Sequence, residues 1–273
     1  MSRCCAPALA STPDPKGGSM VIHCDEYGRE RTETILFIHG AGVAGWFWNK
    51  QLAVFSATHH CLVVDLPDHG LSLAEPFTTV EAVADSLLDL VARLGHGGKA
   101  VLVGHSLGAK LAAFMLARRP ELVSRALIAS ALFRPSWLLS AMTSEKLFAW
   151  SLNLYRKYPA LKRWQVKAFG LADPVMEAAL MASYDSLTAG ALLRPTLAYA
   201  NRMSLPEGLV AASDKPVMLL AGSREPAAMK RSLADLATAL PQAESHILPG
   251  CDHVYPVKAA ALFNDLLAGW LSR

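Results

Sequence analysis

The sequence lacks an uninterrupted apolar run long enough to cross a membrane, although hydrophobic residues make up 52% of it. A transmembrane helix needs about 20 consecutive apolar residues. The uncharged stretch 34–49 is interrupted by His39 and several glycines. No membrane span is therefore predicted, and the apolar composition instead predicts a large core and an apolar pocket.

Signals for export are lacking as well. Residues 1–19 contain no continuous apolar segment of the kind found in signal peptides, and their Pro, Gly and Ser content is typical of a disordered tail. The five cysteines have no CxxC spacing and no metal-like grouping with histidine; they are Cys4, Cys5, Cys24, Cys61 and Cys251. We therefore expect a reduced, cytoplasmic protein that holds no metal ion and no cofactor.

The sequence has no large excess of positive or negative charge. The formal net charge is only +3, and the sequence has no run of Lys and Arg and no basic stripe interleaved with aromatic residues. Proteins that bind nucleic acids generally carry such a patch. The composition therefore gives little support to a nucleic-acid partner.

What the sequence does contain is an alternation of short apolar runs and longer helical patterns from Ile35 onward. This alternation is the signature of βα units that build a parallel sheet covered by helices on both faces. Strands are predicted at 35–39, 61–65, 100–104, 126–130, 217–221 and 245–248, and helices at 46–56, 78–94, 107–118, 227–239 and 257–271. The preceding segment 20–28 is expected to form an antiparallel edge hairpin.

Residues 131–210 break this alternation, with helical patterns and no convincing strand. An insertion between two strands of a parallel sheet emerges at their carboxyl ends, where ligands bind. We therefore expect a helical lid at 131–210, inserted before the penultimate strand into an α/β core of 20–130 and 211–273. Some of its apolar side chains are expected to line the pocket, while others only hold the lid to the core; the set includes Trp137, Met142, Leu147, Trp150 and Trp164.

The strongest chemical signal is the sequence GHSLG at 104–108, which follows a predicted strand and begins a predicted helix. Gly-x-Ser-x-Gly at such a junction makes a tight elbow that presents the serine hydroxyl at its tip. The pentapeptide alone also fits an ordinary turn with a helix-capping serine. The strand, elbow and helix together favour Ser106 as a nucleophile.

A serine hydroxyl needs a base to take its proton, and the base needs an acid to fix its tautomer. His253 lies in the loop after the last predicted strand, and Glu225 lies in the loop after the strand before it. Their order in the chain, serine then acid then histidine, is that of a known catalytic arrangement. Glu225 also fits a carboxylate that stabilises a helix amino terminus, and the other acid considered is Asp252, beside His253.

Such chemistry also needs backbone N–H groups that stabilise an oxyanion. One is expected from Leu107, directly after the candidate nucleophile, and the second from Ala41 in the loop after the first parallel strand. That loop reads HGAG at 39–42, and its small residues allow a substrate to approach the backbone. Taken alone, the same four residues also fit a glycine-rich turn without a ligand.

These residues resemble the α/β-hydrolase superfamily over nearly the whole chain, from about Met20 to Arg273. The motifs match in order; they are HGAG at 39–42, DLPDHGLS at 65–72, GHSLG at 104–108 and the late His253. The resemblance implies the α/β-hydrolase fold and, most commonly, hydrolysis of a carboxylic ester. It disfavours epoxide hydrolases and haloalkane dehalogenases, which carry aspartate at the elbow. The chain departs from the family pattern at Asp68, where glycine is usual, and at Glu225, where aspartate is usual.

The candidate residues together predict a serine hydrolase that cleaves a small apolar ester or related acyl compound through an acyl-enzyme. Two other hypotheses remain open from the sequence. One is a binding or signalling module that keeps the pocket and uses the triad slowly or not at all. The other is a lyase or perhydrolase with the same triad.

Overall fold

A computed structural model describes residues 20–134, 145–171, 173–212 and 214–273. The expected tail at 1–19, Trp137 and Met142 lie outside the described residues, as does the side chain of Leu147. Within the described ranges, every helix is too short or too polar to span a bilayer.

The centre of the fold is a seven-stranded sheet with the order β1-β3-β2-β4-β5-β6-β7. The strands are β1 (His23–Tyr27), β2 (Thr34–Ile38), β3 (His60–Asp65), β4 (Ala100–His105), β5 (Val123–Ala129), β6 (Val217–Gly222) and β7 (Glu244–Leu248). Strands β2 to β7 are parallel to one another. Every residue of β2, β3, β4 and β6 is buried, because helices cover both faces of a parallel sheet. The predicted α/β class is confirmed.

The expected edge hairpin is wrong in its pairing. Strand β1 is antiparallel, but it pairs with β3, with His23 opposite Asp65. Strand β2, the next in sequence, already has β3 and β4 on its two edges. The open edge of β3 is therefore the place where β1 can form its hydrogen bonds.

Helices pack on both faces of the sheet. In chain order, the helices of the described residues are α1 (Asn49–Phe55), α2 (Val80–Leu94), α3 (Leu107–Arg118), α4 (Glu145–Lys157), α5 (Pro159–Ala168), α6 (Pro174–Ser186), α7 (Ala189–Asn201), α8 (Ala227–Ala239), α9 (Tyr255–Lys258) and α10 (Ala260–Leu271). Short 3₁₀ helices cover Gly45–Trp48, Gly70–Ser72, His96–Gly98, Pro120–Leu122 and Leu209–Ala212. Alternate residues of each strand face opposite sides: Leu36 and Leu102 belong to the apolar cluster of α2 and α3, while Phe37 and Val103 belong to that of α1 and α10.

Helices α4 to α7 lie between β5 and β6 in the chain, and we call residues 145–201 the helical insertion. It contacts residues that follow the carboxyl ends of the strands. Ser183 of α6 accepts a hydrogen bond from the Trp46 ring at 3.2 Å, and Arg194 of α7 pairs with Asp68. The helical insertion therefore lies at the carboxyl edge of the sheet.

Trp150 and Trp164 belong to the set of apolar residues expected either to line the pocket or to hold the lid to the core, and both are largely exposed. Their residues are 61% and 68% exposed, whereas Leu152 and Val166 are both 3% exposed. Two positions along an α-helix correspond to a rotation of about 200°, which puts each tryptophan opposite the buried residue. Helices α4 and α5 thus bury their aliphatic faces and direct these two indoles to solvent.

Candidate active site

Ser106 forms the turn between β4 and α3. Its backbone has φ 56° and ψ −112°, a conformation that strains a non-glycine residue by about 1–3 kcal/mol. The strain persists because neighbouring elements hold both sides of the turn. The Ser106 N–H donates to the Ala129 carbonyl of β5 at 2.9 Å, and its carbonyl accepts from Lys110 N–H at 3.1 Å.

Glycines allow the elbow to pack directly on β2 and the loop after it. A Cβ on Gly108 would lie 2.1 Å from the Ile38 carbonyl oxygen, so a side chain at this position would force α3 away from β2. A Cβ on Gly40 would lie 3.1 Å from the Ser106 Cβ. Loop 39–42 therefore runs alongside the Ser106 side chain.

His39 holds loop 39–42 in this position. Its Nε2 accepts a hydrogen bond from Leu66 N–H at 2.9 Å, and its Nδ1 lies 2.7 Å from the Gly40 carbonyl oxygen. Burial lowers the pKa of His39 to about 3, with the nearby His69 adding to the shift. A neutral imidazole satisfies both contacts, since Nδ1 donates and Nε2 accepts.

The backbone N–H groups of this region divide into paired and available donors. Gly42 N–H donates to Nε2 of the buried His69 at 3.0 Å. In the described part of the chain, the N–H groups of Ala41 and Leu107 have no hydrogen-bond acceptor. Both flank Ser106, one in the adjoining loop and one at the start of α3, so they are the donors that a bound oxyanion could use.

Glu225 and His253 come together although 27 residues separate them in the chain. Glu225 Oε1 lies 2.5 Å from His253 Nδ1, and the Glu225 side chain is completely buried. Its second oxygen accepts from Gly222 N–H at 2.7 Å and from the Ser130 hydroxyl at 3.1 Å. The carboxylate is thus directed at the imidazole and not at the solvent-facing end of α8.

Ser130 and Tyr255 belong to this network, and the sequence reasoning missed both. The Ser130 hydroxyl lies 3.2 Å from the Tyr255 hydroxyl, and burial raises the pKa of Tyr255. Tyr255 can donate to Ser130 while Ser130 donates to Glu225. A signal was present for Ser130, which is a polar residue directly after β5, beside the elbow at the carboxyl edge of the sheet.

Asp252 does not touch the His253 ring. It pairs with Lys258 at 2.6 Å, and its other oxygen accepts from Val254 N–H at 3.0 Å. The histidine loop is held instead by His105, whose Nε2 lies 2.8 Å from the His253 carbonyl oxygen. Burial lowers the pKa of His105 well below its ordinary value, which leaves a neutral ring that donates through Nε2.

His253 packs on His105, the residue before Ser106, and no hydrogen bond joins the described side chains of Ser106 and His253. The ring centroids of His253 and His105 lie 4.7 Å apart, and His105 immediately precedes Ser106. The Ser106 hydroxyl lies near the Tyr199 phenol of α7, and this interaction opposes the rise in the tyrosine pKa that burial causes. Catalytic hydrogen bonds are often long in a free enzyme and shorten when substrate binds.

The fold agrees with the comparison to known families. A model of the alpha/beta hydrolase family matches residues 35–266, most of the chain. The chain belongs to this family. It is also similar to the thermophilic esterase from Thermogutta terrifontis, with a TM-score of 0.75, 20% identity and coverage of 98% of both chains, and so has the same fold.

Curated relatives match this α/β hydrolase over a shorter region. Putative methylesterase 12 of Arabidopsis thaliana is 31% identical over 100 residues, which cover 36% of this chain and 29% of the relative. Probable esterase PIR7A of Oryza sativa subsp. indica is 33% identical over 99 residues, 35% of this chain and 38% of the relative. The chain thus matches well under half the length of each.

Proposed function

We propose that this α/β hydrolase is a serine esterase with Ser106 as nucleophile, His253 as base and Glu225 as the acid that orients it. Ala41 and Leu107 supply the oxyanion donors. The observation that carries the proposal is the 2.5 Å contact between buried Glu225 and His253 Nδ1, next to a strained serine elbow. This is the arrangement that turns a serine hydroxyl into a nucleophile.

In the first step, Ser106 Oγ forms a bond to the acyl carbon while His253 Nε2 takes its proton. The negative charge on the carbonyl oxygen is stabilised by the two N–H groups. The bond to the leaving alcohol then breaks, and the alkoxy oxygen receives the proton from His253. Water repeats the sequence on the acyl-enzyme and releases a carboxylic acid, so the reaction needs no cofactor or metal.

The proposed substrate is a small apolar ester, covered by a lid of residues 131–210 on a core of 20–130 and 211–273. Support comes from the position of the helical insertion at the carboxyl edge of the sheet, through contacts such as that between Arg194 and Asp68. The relatives named methylesterase and esterase favour the same chemistry.

We propose a reducing, cytoplasmic location because the described cysteines form no disulfide. Cys24, Cys61 and Cys251 are free in the described residues. Burial raises the pKa of Cys24 and of Cys61 to about 12, so both thiols stay protonated and unreactive at neutral pH.

Labelling with a fluorophosphonate, which reacts covalently with an activated serine, tests the nucleophile. The parent and Ser86→Ala, which removes a hydroxyl that donates to the Ala82 carbonyl within α2, should be labelled, while Ser106→Ala should not. Hydrolysis of a methyl ester should release acid and alcohol in equal amounts. Equal labelling of Ser106→Ala contradicts the assignment, as does a parent that binds esters without releasing products.

A further inference from the structure

Tyr199 connects the helical insertion to both sides of the serine elbow. Its residue is 7% exposed. The backbone carbonyl of Tyr199 accepts a hydrogen bond from Lys110 Nζ at 2.9 Å, and the Lys110 ammonium lies 4.1 Å from the centroid of the tyrosine ring. Lys110 is one helical turn after Ser106 in α3. The ring is therefore fixed relative to the elbow and cannot swing freely with α7.

The hydroxyl of Tyr199 has an unused proton. It accepts a hydrogen bond from Leu132 N–H at 2.9 Å, which leaves its own O–H to donate to a second oxygen. Burial raises the pKa of Tyr199, the charge of Glu225 adds to the shift, and side-chain hydrogen bonding with Ser106 opposes it. The phenol therefore stays protonated at neutral pH, and its contacts with Leu132 and Lys110 hold it near the candidate nucleophile.

The sheet order shows on which side of Ser106 this hydroxyl lies. Strand β4 has β2 on one edge and β5 on the other. The loop with Ala41 follows β2, whereas Leu132, which holds the tyrosine hydroxyl, follows β5. Beyond β5 lies β6, which leads to Glu225 and its partner His253. The Tyr199 hydroxyl thus approaches on the histidine side, opposite the oxyanion donors.

We propose that the Tyr199 hydroxyl is a catalytic group that donates a hydrogen bond to the leaving alkoxy oxygen of the ester. The inference rests on the proposed serine-esterase function. When the bond between the acyl carbon and the alkoxy oxygen breaks, its electron pair stays on that oxygen, and His253 delivers the proton taken from Ser106. Tyr199 keeps its own proton and stabilises the charge that develops before delivery.

The assignment predicts a loss that depends on the leaving group. A methoxide leaving group carries much charge in the transition state and needs a donor, whereas p-nitrophenolate is stable without one. Tyr199→Phe should reduce kcat/KM for a methyl ester by on the order of 10- to 100-fold. For the p-nitrophenyl ester of the same acid, the loss should be less than about threefold, because its charge needs no such bond. Since kcat/KM reports on steps through acylation, deacylation does not obscure the comparison.

Tyr155→Phe is the matched control, because it removes a hydroxyl from another tyrosine of the helical insertion, one whose ring packs on Tyr184. It should leave both kcat/KM values near those of the parent. Equal losses on the two esters in Tyr199→Phe, or no loss on either, overturn the assignment. A parent that hydrolyses neither ester and resists fluorophosphonate overturns the esterase proposal and this one with it. An active parent with equal losses overturns only the role of Tyr199.

Tyr199→Phe also leaves the buried Leu132 N–H without its acceptor, which destabilises the fold. Should that variant fail to fold, a polyfluorinated tyrosine placed at position 199 keeps the ring and the acceptor. Its hydroxyl ionises at lower pH, so methyl-ester activity should fall at lower pH than in the parent. Superimposable pH profiles for the parent and the fluorinated protein overturn the inference.

Discussion

At the scale of single residues, three hydrogen-bonding partners fix the orientation of the Glu225 carboxylate. Gly222 N–H and the Ser130 hydroxyl bind one of its oxygens, and His253 binds the other. Each of these donors favours a fixed orientation of the carboxylate over rotation. The imidazole of His253 therefore meets an acceptor whose orientation is already fixed.

Glu225→Gln should lower turnover strongly, by up to about 10⁴-fold, because an amide can hold the imidazole in the wrong tautomer. Steady-state kinetics on an ester substrate provides the measurement. Asp252→Asn is the matched control, since Asp252 pairs with Lys258 and not with the histidine ring, and it should retain turnover within a few-fold. Collapse of Asp252→Asn with survival of Glu225→Gln would reverse the assignment of the acid.

The strained backbone at Ser106 gives a second prediction at this scale. Ser106→Gly should raise the free energy of unfolding by about 1 kcal/mol relative to Ser106→Ala, because glycine adopts positive φ without a steric penalty. Chemical denaturation of the two variants isolates the strain, as both lack the hydroxyl. Identical midpoints and slopes would show that the turn stores no strain.

At the scale of elements, α7 is tied to the loop after β3 by Asp68 and Arg194. Asp68 has φ 66° and a completely buried side chain that also accepts from Phe77 N–H at 2.8 Å. Arg194 is half exposed and binds both carboxylate oxygens, one of them from Nε at 2.8 Å. Asp68 thus has a strained backbone conformation at a position where the family usually has glycine. Its ion pair with Arg194 anchors the helical insertion.

Arg194 and Asp68 should contribute unequally to the free energy of unfolding. Arg194→Met leaves a buried carboxylate unpaired and should lower the free energy of unfolding by on the order of 2 kcal/mol, less than for a fully buried pair because the arginine is partly in water. Asp68→Gly removes the charge and the backbone strain together, so it should cost less. Urea denaturation of both variants and the double variant measures the difference. A larger cost for Asp68→Gly contradicts this account.

At the scale of the whole molecule, Lys110 links α3 to the carboxyl end of α7. Its side chain is buried, and Nζ donates to the carbonyls of Tyr199 and Arg202. Burial lowers the pKa of Lys110 to about 7, helped by the charge of Arg202 and opposed by Glu81. The titrating group at the junction between the core and the helical insertion is therefore Lys110, which loses its proton near neutral pH.

Stability should follow this titration. From pH about 7 to 10.5, the unfolded chain keeps a proton on Lys110 that the folded chain has lost. The free energy of unfolding therefore rises with pH across that window. Below pH about 7 the buried lysine is charged, and the protein carries the whole destabilisation that burial of this charge causes. Lys110→Met should remove this contribution. Denaturation of parent and variant across the window measures it, and a difference between them that does not change with pH contradicts the prediction.

The sequence by itself determined the βα alternation and most element positions, because apolar periodicity and turn residues act over short distances along the chain. It also indicated Ser106, since a strand, a Gly-x-Ser-x-Gly turn and a helix adjoin in sequence. The predicted helix at 227–239 coincides with α8, Ala227–Ala239. Local signals of this kind do not depend on what the rest of the chain does.

The tertiary structure decided what depends on contacts between distant segments. It paired β1 with β3, turned Trp150 and Trp164 to solvent, and brought Ser130, Tyr199 and Tyr255 to the candidate site. It also placed Glu225, the acid that the sequence favoured, against His253, and Asp252 against Lys258. Which side chains meet at the carboxyl edge depends on strand order and helix rotation, and neither is recorded in the spacing of residues along one segment.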